Sequence, residues 1–167
     1  NRCGAEYLYV YDGKWFVGNV LSKVEIYKKL SLIPEKAKQV YLPPEPGHSR
    51  LKYEKSNIFS MKRSDLPKID VIFPCFHGGQ GENGTFQALY EMTDTPYVGS
   101  PVTGSAVGFD KVHMKKIFTD SKIPIAPYEW FYRDKWRKSH DDIFGNLEEK
   151  LDYPMYVKPA NGGSSIG

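Results

Sequence analysis

Residues 69–85, IDVIFPCFHGGQGENGT, contain the strongest structural pattern in the sequence. The apolar run at residues 71–76 shows no alternation, which is typical of a strand buried on both faces of a parallel sheet. Four glycines follow within residues 78–84, and apolar residues at helical spacing begin at Phe86. We therefore predict a buried strand, a glycine loop and a helix in that order, as in an α/β fold.

Polar side chains stand at the end of this predicted strand. In open α/β sheets, ligands bind beyond the carboxyl ends of the strands. His77 directly follows the apolar run, and Glu82 and Asn83 lie among the glycines. We predict a ligand site here, with the alternative that loop carbonyl groups satisfy the histidine and give it a structural role.

The residues before this stretch predict a small set of strands and one helix. Asp12-Gly13 is a strong type I′ turn signal between two β-rich segments. Ser22 is a candidate cap for a helix over residues 23–30. The predicted strands cover residues 6–11, 14–17 and 39–42, and residues 50–53 and 57–61 could pair as an edge hairpin.

The residues after it alternate again between helical and strand-like patterns. Small residues at 103–108 predict a connecting segment, and Asp110 is a candidate N-cap for the helix that follows. The predicted helices cover residues 85–92, 110–121 and 141–151, and the predicted strands cover residues 95–99, 128–132 and 155–158.

A second glycine-rich stretch ends the sequence. Residues 157–167 read VKPANGGSSIG, with Lys158 at the end of a predicted strand. Glycine backbone amides and serine hydroxyls can surround phosphate oxygens, and a lysine adds a charge that reaches them. The stretch lacks the Gly-Lys-Ser/Thr order of a Walker loop. On its own residues, a flexible hairpin loop fits the stretch equally well.

Composition excludes several classes of protein. The chain has 167 residues, of which 40% are hydrophobic and 26% charged, as in globular domains. A net charge of +3 gives no concentrated basic face for nucleic acid. Cys3 and Cys75 are far apart, and we expect Cys75 to be a buried, inert thiol in a cytosolic protein. The sequence has no apolar run of 18 residues and no signal-peptide pattern, so we expect no membrane partner.

The two ends of the sequence lack the features of a complete protein. The chain begins at Asn1 without a methionine, and it stops at Gly167 within a glycine-serine loop. We therefore interpret it as a piece of a longer protein.

The two glycine-rich stretches, taken in order, resemble the D-alanine–D-alanine ligase family of the ATP-grasp superfamily. The resemblance rests on HGGQGENGT at residues 77–85, on Gly99, on Phe109-Asp110-Lys111 and on YVKPANGGSSIG at residues 156–167. It implies an α/β fold, with a small doubly wound, Rossmann-like pre-ATP-grasp domain followed by the start of an α+β ATP-grasp subdomain. We predict that the first, substrate-binding domain covers residues 1–104 and that the second, central domain begins over residues 105–167.

The resemblance also implies roles for particular residues. His77 would line the pocket of the first D-alanine and donate a hydrogen bond to its carboxylate or acyl oxygen. Glu82 would organise the substrate side of the glycine loop. Lys111 and Lys158 would contact the phosphates of ATP.

The serine loop completes this implied site. Gly163, Ser164, Ser165 and Gly167 would belong to a flexible loop that closes over the phosphates. Ser164 would also support the substrate pocket, so His77 and Ser164 are the candidates for direct catalysis.

The implied reaction joins two D-alanines at the expense of ATP, for peptidoglycan synthesis in the bacterial cytoplasm. ATP converts the first carboxylate into an acyl phosphate, and the second amine displaces phosphate. Magnesium would assist, with its ligands expected beyond Gly167, and we expect the full-length enzyme to be a homodimer. The 167-residue chain alone would be inactive.

Three alternatives remain open. A sibling ligase could make D-alanyl-D-lactate or D-alanyl-D-serine, another ATP-grasp ligase could use other substrates, and a non-catalytic module could merely bind nucleotide. The sequence also departs from the family at one point. The opening strand with its Glu-His-Glu motif has no match here, which leaves the group that holds the first substrate's ammonium unassigned.

Overall fold

The computed structural model describes residues 4–54 and 66–163. Contacts between Cα atoms divide the chain into two compact units. The first unit comprises residues 1–73 and 89–98, and the second comprises residues 74–88 and 99–167. None of the helices in the described ranges has both the length and the apolar character needed to cross a bilayer.

The first unit contains a four-stranded antiparallel sheet in the order β1-β2-β3-β4. Its first two strands form the predicted hairpin, in which Tyr11 faces Lys14 across the turn. Asp12 and Gly13 have φ angles of 49° and 69°, and positive φ at both positions is what a type I′ turn requires. The strands are β1 (Leu8–Tyr11), β2 (Lys14–Val17), β3 (Lys38–Tyr41) and β4 (Lys52–Tyr53).

The prediction of a helix over residues 23–30 is wrong. Ser22 does not cap it, because its hydroxyl donates to the carbonyl of Asn19. Leu21 and Ile26 both enter the core, although five residues separate them and an ideal α-helix would point them about 140° apart. The chain therefore breaks into short pieces: 3-10 turns at Asn19–Ser22, Val24–Lys28 and Leu30–Leu32, followed by helix α1 at Ile33–Lys36.

The core of the first unit lies under this sheet and these turns. Phe16, Leu21, Ile26 and Ile33 form one buried cluster, and Tyr9 and Tyr11 pack against it. The Phe16 side chain is 2% exposed, so nearly all of its apolar area is removed from water. Fully burying a phenylalanine stabilises the folded state by about 1.5–3 kcal/mol. The hydrophobic contacts of β2 with the short helical pieces thus hold the sheet in place.

The strand predicted at residues 71–76 is not buried on both faces. Ile72 forms a single parallel bridge with Tyr97, through bonds from Ile72 N to Pro96 O and from Val98 N to Ile72 O. Val71 and Phe73 are 58% and 71% exposed. The β-bridge of this segment lies at Ile72, and alternate side chains from Val71 to Cys75 are exposed to solvent.

Cys75 is exposed, whereas the sequence predicted a buried thiol. The cause is the same as for its neighbours, since every second residue from Val71 to Cys75 is exposed.

Five further helices follow the glycine loop, which we define as residues 78–84. Helix α2 has the predicted bounds, and α4 and α6 lie within one residue of theirs. The short helix α5 was not predicted. The helices are α2 (Thr85–Met92), α3 (Val102–Phe109), α4 (Lys111–Asp120), α5 (Arg133–Lys138) and α6 (His140–Lys150).

Helix α3 occupies the small-residue segment that was predicted to be a connection. The glycine loop approaches the start of this helix closely, since a Cβ atom on Gly84 would lie 3.0 Å from the carbonyl oxygen of Val102. Gly84 also has a φ of 93°, which favours glycine. A side chain at position 84 would therefore be strained and would crowd α3.

Two predicted strands of the second unit are not seen. Residues 128–132 and 155–158 form no strand, and Tyr156 and Val157 are more than 80% exposed. A strand requires a hydrogen-bonded neighbour, and none of the described segments pairs with either stretch. The hairpin partner predicted at residues 57–61 lies outside the described residues, and β4 pairs with β3 instead.

Candidate functional site

The start of α4 is joined to the second glycine-rich stretch, whose described part, residues 160–163, we call the phosphate loop. The amide of Lys111 donates to the carbonyl of Ala160 at 2.9 Å, and Asp110 forms an antiparallel bridge with Asn161. The Lys111 ammonium donates to the carbonyl of Gly162 at 2.8 Å. Two sequence motifs that are 51 residues apart therefore meet at one place.

The Lys111 ammonium is suited to an anion at this position. Its side chain is half-buried, so its charge is less screened than that of a surface lysine. An ammonium carries three donors, so it can hold the Gly162 carbonyl and bind a phosphate oxygen at the same time. Of the two lysines predicted to contact phosphates, Lys111 is the one that the structure places against the loop.

The phosphate loop also touches the glycine loop. A methyl group on Gly163 would overlap the Cα of Gly78 and would lie 2.9 Å from Oε2 of Glu82. Two glycine backbones and one carboxylate thus pack closely, and any side chain at position 163 would separate them. The contact brings the phosphate loop next to the residue that directly follows His77.

Asp110 begins α4 as predicted. Its Oδ1 accepts hydrogen bonds from the amides of Val112 and His113, both at 2.9 Å. The pKa of Asp110 is lowered, chiefly by the bond from the His113 amide, so the carboxylate is charged at neutral pH. A negative charge at this end stabilises the positive end of the helix dipole.

The glycine loop is itself stabilised by local hydrogen bonds. Asn83 accepts from the amide and the hydroxyl of Thr85 at the start of α2, and Gln87 donates to the carbonyl of Gly81 at 3.0 Å. The rings of Phe76 and Phe86 stack with centroids 4.6 Å apart. Gly81 lies against Phe76 where no Cβ would fit. The loop is therefore held by backbone proximity and by side chains from both of its ends.

A cavity of about 380 Å³ opens beside these loops within the second unit. The end of α3, the start of α4 and the asparagines Asn83 and Asn161 line it. Both asparagines belong to the two loops, so the cavity borders the place where the loops approach the helix.

The other predicted site residues are more exposed or lie outside the described ranges. The side chains of His77, Glu82 and Lys158 are exposed. Ser164, Ser165 and Gly167 lie outside the described residues. The sequence did not reveal that the Gly162 carbonyl receives Lys111 or that Gly163 packs on Gly78. The glycine pairs in both stretches were the available signal, because adjacent glycines permit close backbone contact.

The described residues do not suit a metal ion. Across residues 4–54 and 66–163, no group of three or more histidine, cysteine, aspartate or glutamate side chains is arranged to hold one. No chemical step is therefore assigned to a metal held by these residues.

Within the second unit, the structure thus brings together a lysine at the start of a helix, a glycine loop and a second glycine-rich stretch. The family model for the N-terminus of D-alanine–D-alanine ligases matches residues 5–100, and the model for the C-terminus matches residues 117–167. The chain belongs to the D-alanine–D-alanine ligase family.

Curated relatives and solved structures agree with this assignment. A D-alanine–D-alanine ligase of Geobacillus thermodenitrificans is 40% identical over 164 residues, which are 93% of this chain and 41% of the relative. The chain thus spans about two-fifths of the length of this relative.

The structural neighbours show the same fold. The crystal structure of a D-alanine–D-alanine ligase from Helicobacter pylori has a TM-score of 0.73 at 21% identity, over 96% of this chain and 44% of that one. The VanG D-Ala:D-Ser ligase of Enterococcus faecalis has a TM-score of 0.68 at 23% identity, over 92% and 41%. The α/β, ATP-grasp fold class is therefore confirmed.

Proposed function

We propose that the full-length protein containing this chain is an ATP-dependent D-alanine–D-alanine ligase of peptidoglycan synthesis. The observation that carries the proposal is the meeting of Lys111, the phosphate loop and the glycine loop, with the ammonium 2.8 Å from the Gly162 carbonyl. This arrangement supports the proposal, because a lysine that could bind phosphate lies near a loop that could bind the substrate. Joining a carboxylate to an amine with ATP requires both.

The proposed roles follow from these positions. Lys111 and Lys158 neutralise charge on the phosphates of ATP, and Gly163 belongs to the loop that binds these phosphates. Ser164, Ser165 and Gly167 follow the phosphate loop in the sequence, and their proposed role is to bind the phosphates. His77 donates to the first D-alanine, Glu82 holds the glycine loop, and Ser164 supports the substrate pocket.

The reaction has two balanced steps. The carboxylate of the first D-alanine attacks the terminal phosphorus of ATP and releases ADP, which forms an acyl phosphate. The amine of the second D-alanine then attacks the acyl carbon, and phosphate leaves through a tetrahedral intermediate. The chain contributes orientation and charge neutralisation, and exclusion of water protects the acyl phosphate from hydrolysis.

We further propose the setting of this reaction. Residues 1–104 form the substrate-binding domain, and residues 105–167 begin the ATP-grasp central domain. Magnesium accompanies ATP, and the described residues offer it no ligand cluster. The full-length enzyme is a cytoplasmic homodimer.

Phosphate release by the full-length protein tests the function. With ATP and magnesium present, D-alanine should stimulate release and L-alanine should not. Equal rates with the two enantiomers would overturn the assignment. Mass spectrometry of the product, with D-serine or D-lactate added beside D-alanine, separates the proposed ligase from one that makes the mixed products.

The mixed-product alternative has one observation in its favour, the structural likeness to a D-Ala:D-Ser ligase. Preferential formation of D-alanyl-D-serine or D-alanyl-D-lactate would establish it. Nucleotide binding without phosphate release under any of these conditions would instead favour a non-catalytic module.

A further inference from the structure

Lys111 occupies an electrostatically unfavourable position. It is the first residue of α4, where the positive end of the helix dipole repels a cation, and the first turn of this helix has no acidic residue. The ammonium is nevertheless held at the phosphate loop, 2.8 Å from the Gly162 carbonyl. Another group must therefore offset the charge at the start of α4.

The Asp110 carboxylate provides that offset. Its Oδ1 receives the amides of Val112 and His113, and Nδ1 of His113 lies 3.1 Å from the same oxygen. One oxygen atom thus fixes the first turn of the helix from which Lys111 extends. The Asp110 side chain is 20% exposed, so water screens its charge less than it screens a fully exposed carboxylate. Its attraction for neighbouring positive groups is correspondingly stronger.

The backbone of the same residue is tied to the phosphate loop. Asp110 pairs with Asn161, and the next amide along the chain donates to Ala160. Displacing Asp110 would therefore move both the base of the Lys111 side chain and the loop that this side chain contacts.

We propose that Asp110 is a positioning residue for ATP use, which acts by holding Lys111 against the phosphate loop. It does not touch the nucleotide itself. The proposal rests on the proposed function, because it assigns the ammonium of Lys111 to the phosphates. Asparagine keeps the accepting oxygen of Asp110 and loses its charge, so it should replace aspartate only in part.

The test is a double-mutant cycle in the full-length protein. Asp110→Ala, Asp110→Asn, Lys111→Ala and the double variant Asp110→Ala with Lys111→Ala are compared in steady-state kinetics and in direct ATP titrations by calorimetry. Asp120→Ala is the matched control, because it removes an exposed carboxylate from the other end of the same helix. Melting temperatures are measured for every variant.

The expected result is a split between the two substrates. Asp110→Ala should raise KM and Kd for ATP about tenfold. This is the size expected when a capping side chain is lost and the Lys111 ammonium moves away from the phosphate loop. KM for D-alanine should change by less than about twofold. Asp110→Asn should raise the ATP constants less than Asp110→Ala does, and Asp120→Ala should behave like the wild type. In the Lys111→Ala background, Asp110→Ala should have almost no further effect on ATP.

Other results would overturn the proposal. These are unchanged ATP constants in Asp110→Ala, equal loss for both substrates, a defect in Asp110→Asn as large as in Asp110→Ala, or additive effects of the two substitutions. If Asp110→Ala does not fold, Asp110→Gly replaces it, because glycine is accepted at helix N-caps. Failure of the proposed function is distinguishable, since wild-type protein would then lack D-alanine-dependent phosphate release while the calorimetric cycle could still be completed.

Discussion

Each of the two compact units is stabilised internally by a different kind of contact. The first unit buries large side chains, with Phe16, Leu21 and Ile33 at 2% exposure or less. The second brings its two loops together through backbone, with Gly163 against Gly78 and the Gly162 carbonyl on Lys111. Substitutions in the first unit should therefore reduce stability, whereas substitutions at the loop contacts should reduce ligand binding and leave folding nearly intact.

The side chains proposed to bind ligands are exposed. A ligand must reach the groups that bind it, so the exposure of His77, Glu82 and Lys158 is compatible with their proposed roles. The loops must pack closely and must also remain open to ligands. Glycine satisfies both requirements, since it allows close contact and leaves the adjacent backbone amides accessible.

Truncating the core should give the largest effect. Phe16→Ala should lower the free energy of unfolding by about 3–5 kcal/mol, because it removes a buried aromatic ring and leaves a cavity. Urea denaturation followed by circular dichroism measures the change. Val24→Ala is the control, since Val24 is 72% exposed and should cost less than about 0.5 kcal/mol. Equal losses in the two variants would contradict the conclusion that buried side chains stabilise the first unit.

Removing the lysines should reduce ATP use without a comparable loss of stability. Lys111→Ala and Lys158→Ala should each weaken ATP binding in the full-length protein by about 1.5–3 kcal/mol, the usual worth of a hydrogen bond to a charged group. D-alanine affinity should change less. Calorimetric titration with ATP measures the effect, and Lys138→Ala at the end of α5 serves as the control. Wild-type ATP affinity in both variants would show that these lysines are solvated charges with no role in ATP binding.

A methyl group on Gly163 should separate the two loops. Gly163→Ala should weaken ATP binding by about 1–3 kcal/mol, the usual cost of overpacking, because the methyl would overlap Gly78 and crowd Glu82. Gly145→Ala is the matched control, since nothing lies within 4 Å of its new methyl in helix α6. That control should gain about 0.5–1 kcal/mol of stability, because alanine favours a helix interior. Unchanged ATP affinity in Gly163→Ala would show that ATP binding does not require contact between the two loops.

His77→Ala should give the smallest change of the series. We expect a loss of about 1 kcal/mol in D-alanine binding, the net worth of one hydrogen bond, and nearly unchanged ATP affinity. Saturation kinetics for each substrate and a thermal melt measure the two effects. His140→Ala, an exposed histidine beside Asp141, is the control. Loss of the cooperative melt in His77→Ala would show instead that this histidine supports the fold.

Local signals in the sequence were reliable where one element depends on its own residues. The Asp12-Gly13 turn, the Asp110 cap and the bounds of α2 were all predicted, since turn conformation, capping and helical spacing are properties of a few adjacent residues. The predictions failed where distant residues decide the outcome. The segment after Ser22 breaks into 3-10 turns to fill the core. The segment containing Val71 and Phe73, which was predicted to be a strand buried on both faces, leaves both side chains exposed.

The sequence by itself determined the family of this protein and the order of its site motifs, because these are written in residue identities and spacing. Only the tertiary structure decided which candidates meet. It placed Lys111 on Gly162 across 51 residues of sequence, and it packed Gly163 against Gly78 and Glu82. Such contacts depend on how helices and loops close over long separations, and the free energy of that closure belongs to the whole unit rather than to any short stretch.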